Sequence, residues 1–147
     1  MSTRTLLFPR RTAVRERPFV QPLAGRSATA AMIVNTNTGV PLAMTVEAAF
    51  DSASRKRGLL GRDGLARRHA VVIAPTNAIH TFFMRFPIDV VFAAQDGTVV
   101  ALRRTVAPWR IAMTVRAFCA IELEAGSIDR DSVAVGDRLV VRTSTGE

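Results

Sequence analysis

Four polar residues crowd an otherwise apolar stretch of this chain: His80, Thr81, Arg85 and Asp89 stand among Ile79, Phe82, Phe83, Met84, Phe86, Ile88 and Val90. An imidazole, a hydroxyl, a guanidinium and a carboxylate this close in sequence could hold a small polar or anionic ligand. They could also move a proton if a carboxylate met the imidazole or a bound substrate. In an extended segment His80 projects with Phe82 and Met84, and Thr81 with Phe83 and Arg85. A bend at Pro87 would return Asp89 toward Thr81 or Arg85. Glu122, between Ile121 and Leu123, is the second carboxylate of interest. It would form an acid/base pair with Asp89 only if the two came within about 5–10 Å. Each has a structural alternative: Asp89 capping a turn or pairing with Arg85, His80 hydrogen-bonded in the core, Glu122 on a solvent face.

Other chemistries find less support. His69 and His80 are the only histidines and Cys119 the only cysteine, so neither paired-cysteine nor His-Glu-x-x-His metal spacing occurs. No metal and no cofactor are expected. Cys119 sits on the apolar side of its segment, where a thiol is inert, and a single cysteine builds no disulfide framework. Gly58, Gly61 and Gly64 fit neither dinucleotide nor P-loop spacing and read as helix-stop and turn glycines. Trp109 and Arg110, beside Pro108, are candidate surface anchors, since Trp and Arg are enriched at binding hot spots. The alternative is a loop tryptophan covering one end of the fold.

The elements that must position these residues are mostly strands. From Val40 to Ala48 the even positions are apolar, the period of a half-buried strand. Asp51 can cap a short helix from Ser52 to about Leu60, with Gly61 as its stop. Ala70–Ala74 and Ile79–Phe86 read as extended. Ile88–Ala94 and Thr98–Leu102 are joined by Gln95-Asp96-Gly97, a hairpin signal. Ile111–Val115 is a further short strand. Ala117–Ala125 alternates, with Glu122 and Glu124 opposite the apolar set, and Arg138–Arg142 closes the chain after the Gly136–Asp137 turn. The expected fold is mainly β (β-rich α+β): a small, partly closed antiparallel or mixed β-barrel with one short helix.

At 147 residues, 48% hydrophobic and 22% charged, the chain suits one folded domain, and no apolar run is long enough to span a membrane. The net charge is +8. Residues 1–34 carry six arginines against Glu16, so +5 lies in that segment and +3 in the rest. We therefore read 1–34 as a basic, partly disordered tail or lead-in and 35–147 as a single β-rich domain. The remainder shows no aromatic-basic stripe of the kind single-strand binders use, which argues against nucleic acid as a partner. Pro9 and Arg10–Arg11 end the Leu6–Phe8 apolar run too early for a secretory signal, and no hydrophobic stretch follows the twin arginine. The expectation is a soluble, cytoplasmic protein, with its oligomeric state left open.

The block from Ile79 to Phe92 resembles the central signature of the domain of unknown function 192 family. Arg57-Gly58-Leu59-Leu60-Gly61-Arg62, Ile121-Glu122-Leu123-Glu124-Ala125-Gly126 and Gly136-Asp137 match other pieces of it in order, spanning about residues 42–142. Two departures stand out: Phe83 replaces a common tryptophan, and Arg85-Phe86 replaces a Lys-Asn-Thr lead into Pro87. The resemblance implies the fold and its boundaries; it names no substrate.

Three functions remain in play. The leading one is a non-catalytic ligand-binding or accessory module, with His80, Thr81, Arg85, Asp89 and Glu122 around a small polar or anionic ligand. The alternatives are a hydrolase or lyase using Asp89 or Glu122 with His80, and arginine-mediated nucleic-acid binding.

Overall fold

A computed structural model of the chain describes residues 17–25 and 30–143; of the partly disordered tail expected over residues 1–34, residues 1–16 and 26–29 lie outside the described residues. Among the described residues, ten strands and two short helices follow a 3-10 turn at Gln21–Leu23. Strands β1 (Ala31–Asn35), β2 (Pro41–Ala43) and β10 (Leu139–Thr143) form an antiparallel sheet in the order β10-β1-β2. Strands β3 (Thr45–Ala49), β4 (His69–Ile73), β6 (Ile88–Ala93), β7 (Val99–Val106) and β9 (Cys119–Glu124) form a second sheet in the order β3-β4-β9-β6-β7. β5 (Ala78–His80) and β8 (Ile111–Met113) make a separate two-stranded ribbon. The ordered fold thus takes in residues that the sequence placed in the lead-in: residues 31–34 belong to β1, which pairs on both edges, and Val20 and Leu23 are buried.

The fold is β-rich, as the patterning predicts, but its sheets do not close into a barrel. The reason lies at Met44. The expected strand Val40–Ala48 breaks there, and the Met44 and Thr45 N–H groups both donate to Arg68 O. β2 then stays with the small sheet while β3 joins the large one, leaving two stacked sheets. Between them lies one core, built on Ile33, Leu42, Val46, Val72, Ile121 and Leu139.

The opposite face of the large sheet carries a second core, with Leu59, Val71, Ile79, Met84, Val90 and Phe92. Its cover follows from topology. β3 and β4 are parallel, so the chain must cross over between them. The crossover contains α1 (Ser52–Arg57), whose cap Asp51 accepts hydrogen bonds from Ser54 N (2.8 Å) and Ser54 Oγ (2.7 Å). The helix ends at Gly58 (φ 43°), three residues before the expected stop. The ribbon β5–β8 covers the rest. A second short helix, α2 (Ser127–Arg130), follows β9 and was not foreseen from the sequence.

Candidate functional site

β9 is the middle strand of the large sheet, and every residue from Cys119 to Leu123 is buried. Ile121 and Leu123 enter the core between the sheets. Ala120 and Glu122 face the other way, under the crossover and the ribbon. Glu122 is paired in register with Val71 on one side and Val90 on the other. Its side chain therefore lies in the centre of a sheet face, 3% exposed, with Oε2 buried and without a hydrogen-bond partner. Burial pushes its carboxyl up to about 7, opposed in part by the Arg62 charge.

The crossover and the ribbon do not meet over Glu122. Between them opens a cleft of about 410 Å³ lined by Leu59, Ile79 and Met84 on its apolar walls, and by Arg57, His80 and Glu122. His80 and Arg57 are exposed, so they stand at the mouth, whereas Glu122 lies at the bottom. A second cleft, of about 480 Å³, opens on the other side of the end of α1 and shares Arg57 and Gly58 with the first. It contains Glu47, whose Oε2 accepts hydrogen bonds from Arg62 Nη1 (2.8 Å) and His69 Nε2 (2.9 Å). The Arg62 hydrogen bond, helped by His69 and opposed by partial burial, holds the Glu47 carboxyl below its ordinary value.

The residues singled out from the sequence separate into two groups. His80 and Glu122 line the first cleft. Thr81, Arg85 and Asp89 do not. Thr81 is buried; its Oγ1 donates to Ala107 O (2.7 Å) and accepts from Arg110 N (2.9 Å), tying the ribbon to the loop after β7. Arg85 is exposed and pairs with Asp63 at 2.7 Å rather than with Asp89. Asp89 is 1% exposed and accepts from three backbone N–H groups, of Thr105 (2.8 Å), Gly126 (3.1 Å) and Ile128 (2.9 Å). That satisfies a carboxylate in a buried strand and leaves it no part in the cleft. Trp109 is exposed and packs on Phe83, with ring centroids 4.6 Å apart, and Arg110 Nη1 donates to Trp109 O (3.3 Å).

Sequence reasoning passed over Arg57, Glu47, Arg62 and His69 as site residues. Arg57 follows Arg55 and Lys56 in a run of charge that carries no site signal of its own, and the Glu47 cluster exists only because the parallel pairing of β3 with β4 sets Thr45 beside His69. Among the described residues no group of three or more His, Cys, Asp or Glu side chains is placed to hold a metal ion. No helix among them is long and apolar enough to cross a membrane.

The fold is shared with solved structures. A protein from Sinorhizobium meliloti 1021, described as "a putative transcription regulator", is 28% identical, with a TM-score of 0.67 over 78% of this chain and 96% of its own. A protein of unknown function from Novosphingobium aromaticivorans DSM 12444 is 20% identical, with a TM-score of 0.67 over 95% of this chain and 99% of its own, and shows the fold alone. No curated protein matches the chain. The profile of DUF192, described as an uncharacterized ACR, matches residues 33–141 and so takes in both sheets, the crossover and the Glu122 cleft. The chain belongs to the DUF192 family.

Proposed function

We propose that the protein is a small-ligand-binding module and that its site is the cleft over Glu122. One observation carries this reading: a buried carboxyl oxygen without a hydrogen-bond partner faces a cleft large enough for a small molecule. Buried polar groups are satisfied in folded proteins, and an orphan at the bottom of an open cleft invites a partner from solution. The complementary ligand carries a hydroxyl or ammonium group for Glu122 and an anionic group for Arg57 at the mouth. Its short apolar body fits Leu59, Ile79 and Met84. A thermal-shift panel of small hydroxy acids, amino acids and phosphate esters tests this. At least one class should raise the Tm of the wild type and leave Glu122→Gln unmoved. Equal shifts in both proteins, or none in the wild type, would refute it.

A second reading draws on the same residue. A carboxyl pushed up to about 7 is poised to exchange protons at neutral pH, which suits a hydrolase or lyase with Glu122 as general acid and His80 orienting substrate at the mouth. Asp89 is committed to three backbone N–H groups and drops out of that scheme. Turnover of a panel ligand that vanishes in Glu122→Gln while binding persists would select this reading over simple binding.

A further inference from the structure

The ribbon presents a second surface, distinct from the cleft. On β8 the side chains of Ile111 and Met113 face outward while Ala112 joins the core with Met84 and Ile79, and Trp109 in the bend before the strand and Val115 in the turn after it are exposed as well. Trp109 is 55% exposed, Ile111 and Met113 each 62%, and Val115 90%. Phe83, 71% exposed, packs against Trp109 with the two rings tilted by 58° and widens the patch. Phe83 and Trp109 both hold left-handed backbone, at φ 64° and 65°. That conformation is costly for bulky residues, and strain of this kind gathers where a surface has work to do. Contiguous exposed apolar patches of this sort mark contact surfaces.

Charge selects the partner. The chain from Val99 to Phe118 contains Arg103, Arg104, Arg110 and Arg116 and no acidic residue; Arg104 pairs with Asp129 (2.8 Å), so the charge offered beside the patch is that of Arg103, Arg110 and Arg116. Arg103 Nη2 donates to Met113 O (3.1 Å), which holds its guanidinium beside the patch, and Arg110 and Arg116 are exposed along it. A second copy of the chain would bring like charges together. Single-stranded nucleic acid needs free aromatic faces for its bases. Here Trp109 packs against Phe83 at 4.6 Å and lies 5.9 Å from Phe82, and Ile111, Met113 and Val115 offer bases nothing to stack on. An apolar, tryptophan-bearing surface rimmed by arginines fits the interface of an anionic bilayer, where rings and aliphatic chains enter the headgroup region and guanidinium groups meet phosphates. We infer that the face formed by Phe83, Trp109, Ile111, Met113 and Val115 docks the protein on anionic lipid surfaces.

Trp109 is the only tryptophan, so its emission reports this face alone. The full chain should bind mixed phosphatidylcholine–phosphatidylglycerol vesicles with a blue shift of that emission and quenching by brominated acyl chains. Pure phosphatidylcholine should bind at least ~10-fold more weakly. Ile111→Ser/Met113→Ser keeps the reporter and alters only exposed positions; it should abolish the shift while its circular dichroism stays native. Arg110→Gln/Arg116→Gln should weaken the vesicle titration by about 10-fold. Vesicle binding without a shift would assign adsorption to the basic N-terminal segment and overturn the inference. So would an equal response to neutral vesicles, a shift that depends on protein concentration without lipid, or a Trp109 response to a single-stranded oligonucleotide but not to vesicles.

Discussion

Glu47 and Glu122 stand in one row of the large sheet, separated only by Val71, and their surroundings drive the two carboxyl groups in opposite directions. Glu47, near the sheet edge, has Arg62 and His69 as hydrogen-bond donors and is stabilised as an anion. Glu122, on the central strand, has lost its water and gained only the more distant influence of Arg62. Environments that push paired carboxyl groups apart are a recurring mark of sites that handle protons or charged ligands.

For Glu122 the consequence is a pH-dependent cost. Its folded value, about 7, lies above its ordinary 4.5. The stability linked to the neutral carboxyl is therefore fully present below about pH 4.5 and is lost as pH rises through 7. Glu122→Gln should match the wild type under acid conditions and exceed it by about 2–3 kcal/mol in mildly alkaline solution, measured by urea unfolding across pH. A difference between the two proteins that stays flat with pH would show that the carboxylate ionises without penalty.

Glu47 has the opposite sign. Its folded value is depressed, so its contribution is present above 4.5 and disappears as pH falls through the lower folded value. Because the Arg62 pair is partly solvated, Glu47→Gln should cost only about 0.5–1 kcal/mol at neutral pH. The same unfolding experiment in acid should find variant and wild type alike; a cost that persists there would point to packing rather than charge.

Local signals in the sequence were legible and long-range ones were not. Asp51 caps α1 as its spacing predicts, and Gln95-Asp96-Gly97 turns β6 into β7, with Asp96 Oδ1 accepting from Thr98 N at 2.9 Å. Gly97 is needed there, since a Cβ would collide with the Leu139 carbonyl oxygen. Alternation separated Ile121 and Leu123 from Glu122 but could not tell whether both faces of β9 are covered. That depends on the crossover between β3 and β4, so the burial of Glu122 was invisible. The bend at Met44 was hidden for a related reason: the apolar period runs through it unbroken, and the Arg68 carbonyl that redirects the chain comes from another segment. Asp89 was identifiable as a carboxylate needing partners, but its donors lie 16 to 39 residues away.

Cys119 should behave as a buried thiol. It is fully buried, and burial pushes its thiol up to about 12, so almost no thiolate exists at neutral pH. A disulfide-exchange reagent at pH 8 should label the folded protein no faster than it unfolds, and should label it at once in denaturant. Rapid labelling of the native protein would show that the two sheets part readily at β9.

Asp89 ties β6 by its side chain to the end of β7 and to the turn that leads from β9 into α2. Its Oδ1 accepts from Thr105 N, holding a β-branched residue at φ 49° in the strained left-handed region of β7. Its Oδ2 accepts from Gly126 N and Ile128 N, securing the turn from β9 into α2. The Ile128 bond is buried, so water cannot replace the carboxylate there. Asp89→Ala would orphan that donor and weaken the other two, and should cost about 2–4 kcal/mol in urea unfolding. Asp89→Asn keeps one acceptor oxygen but turns an N–H toward a donor, so it should recover only part of the loss. Ligand-induced Tm shifts should survive in Asp89→Asn at temperatures where it is folded, because Asp89 lies outside the Glu122 cleft. A variant that keeps full stability yet loses those shifts would move Asp89 from the scaffold into the binding site.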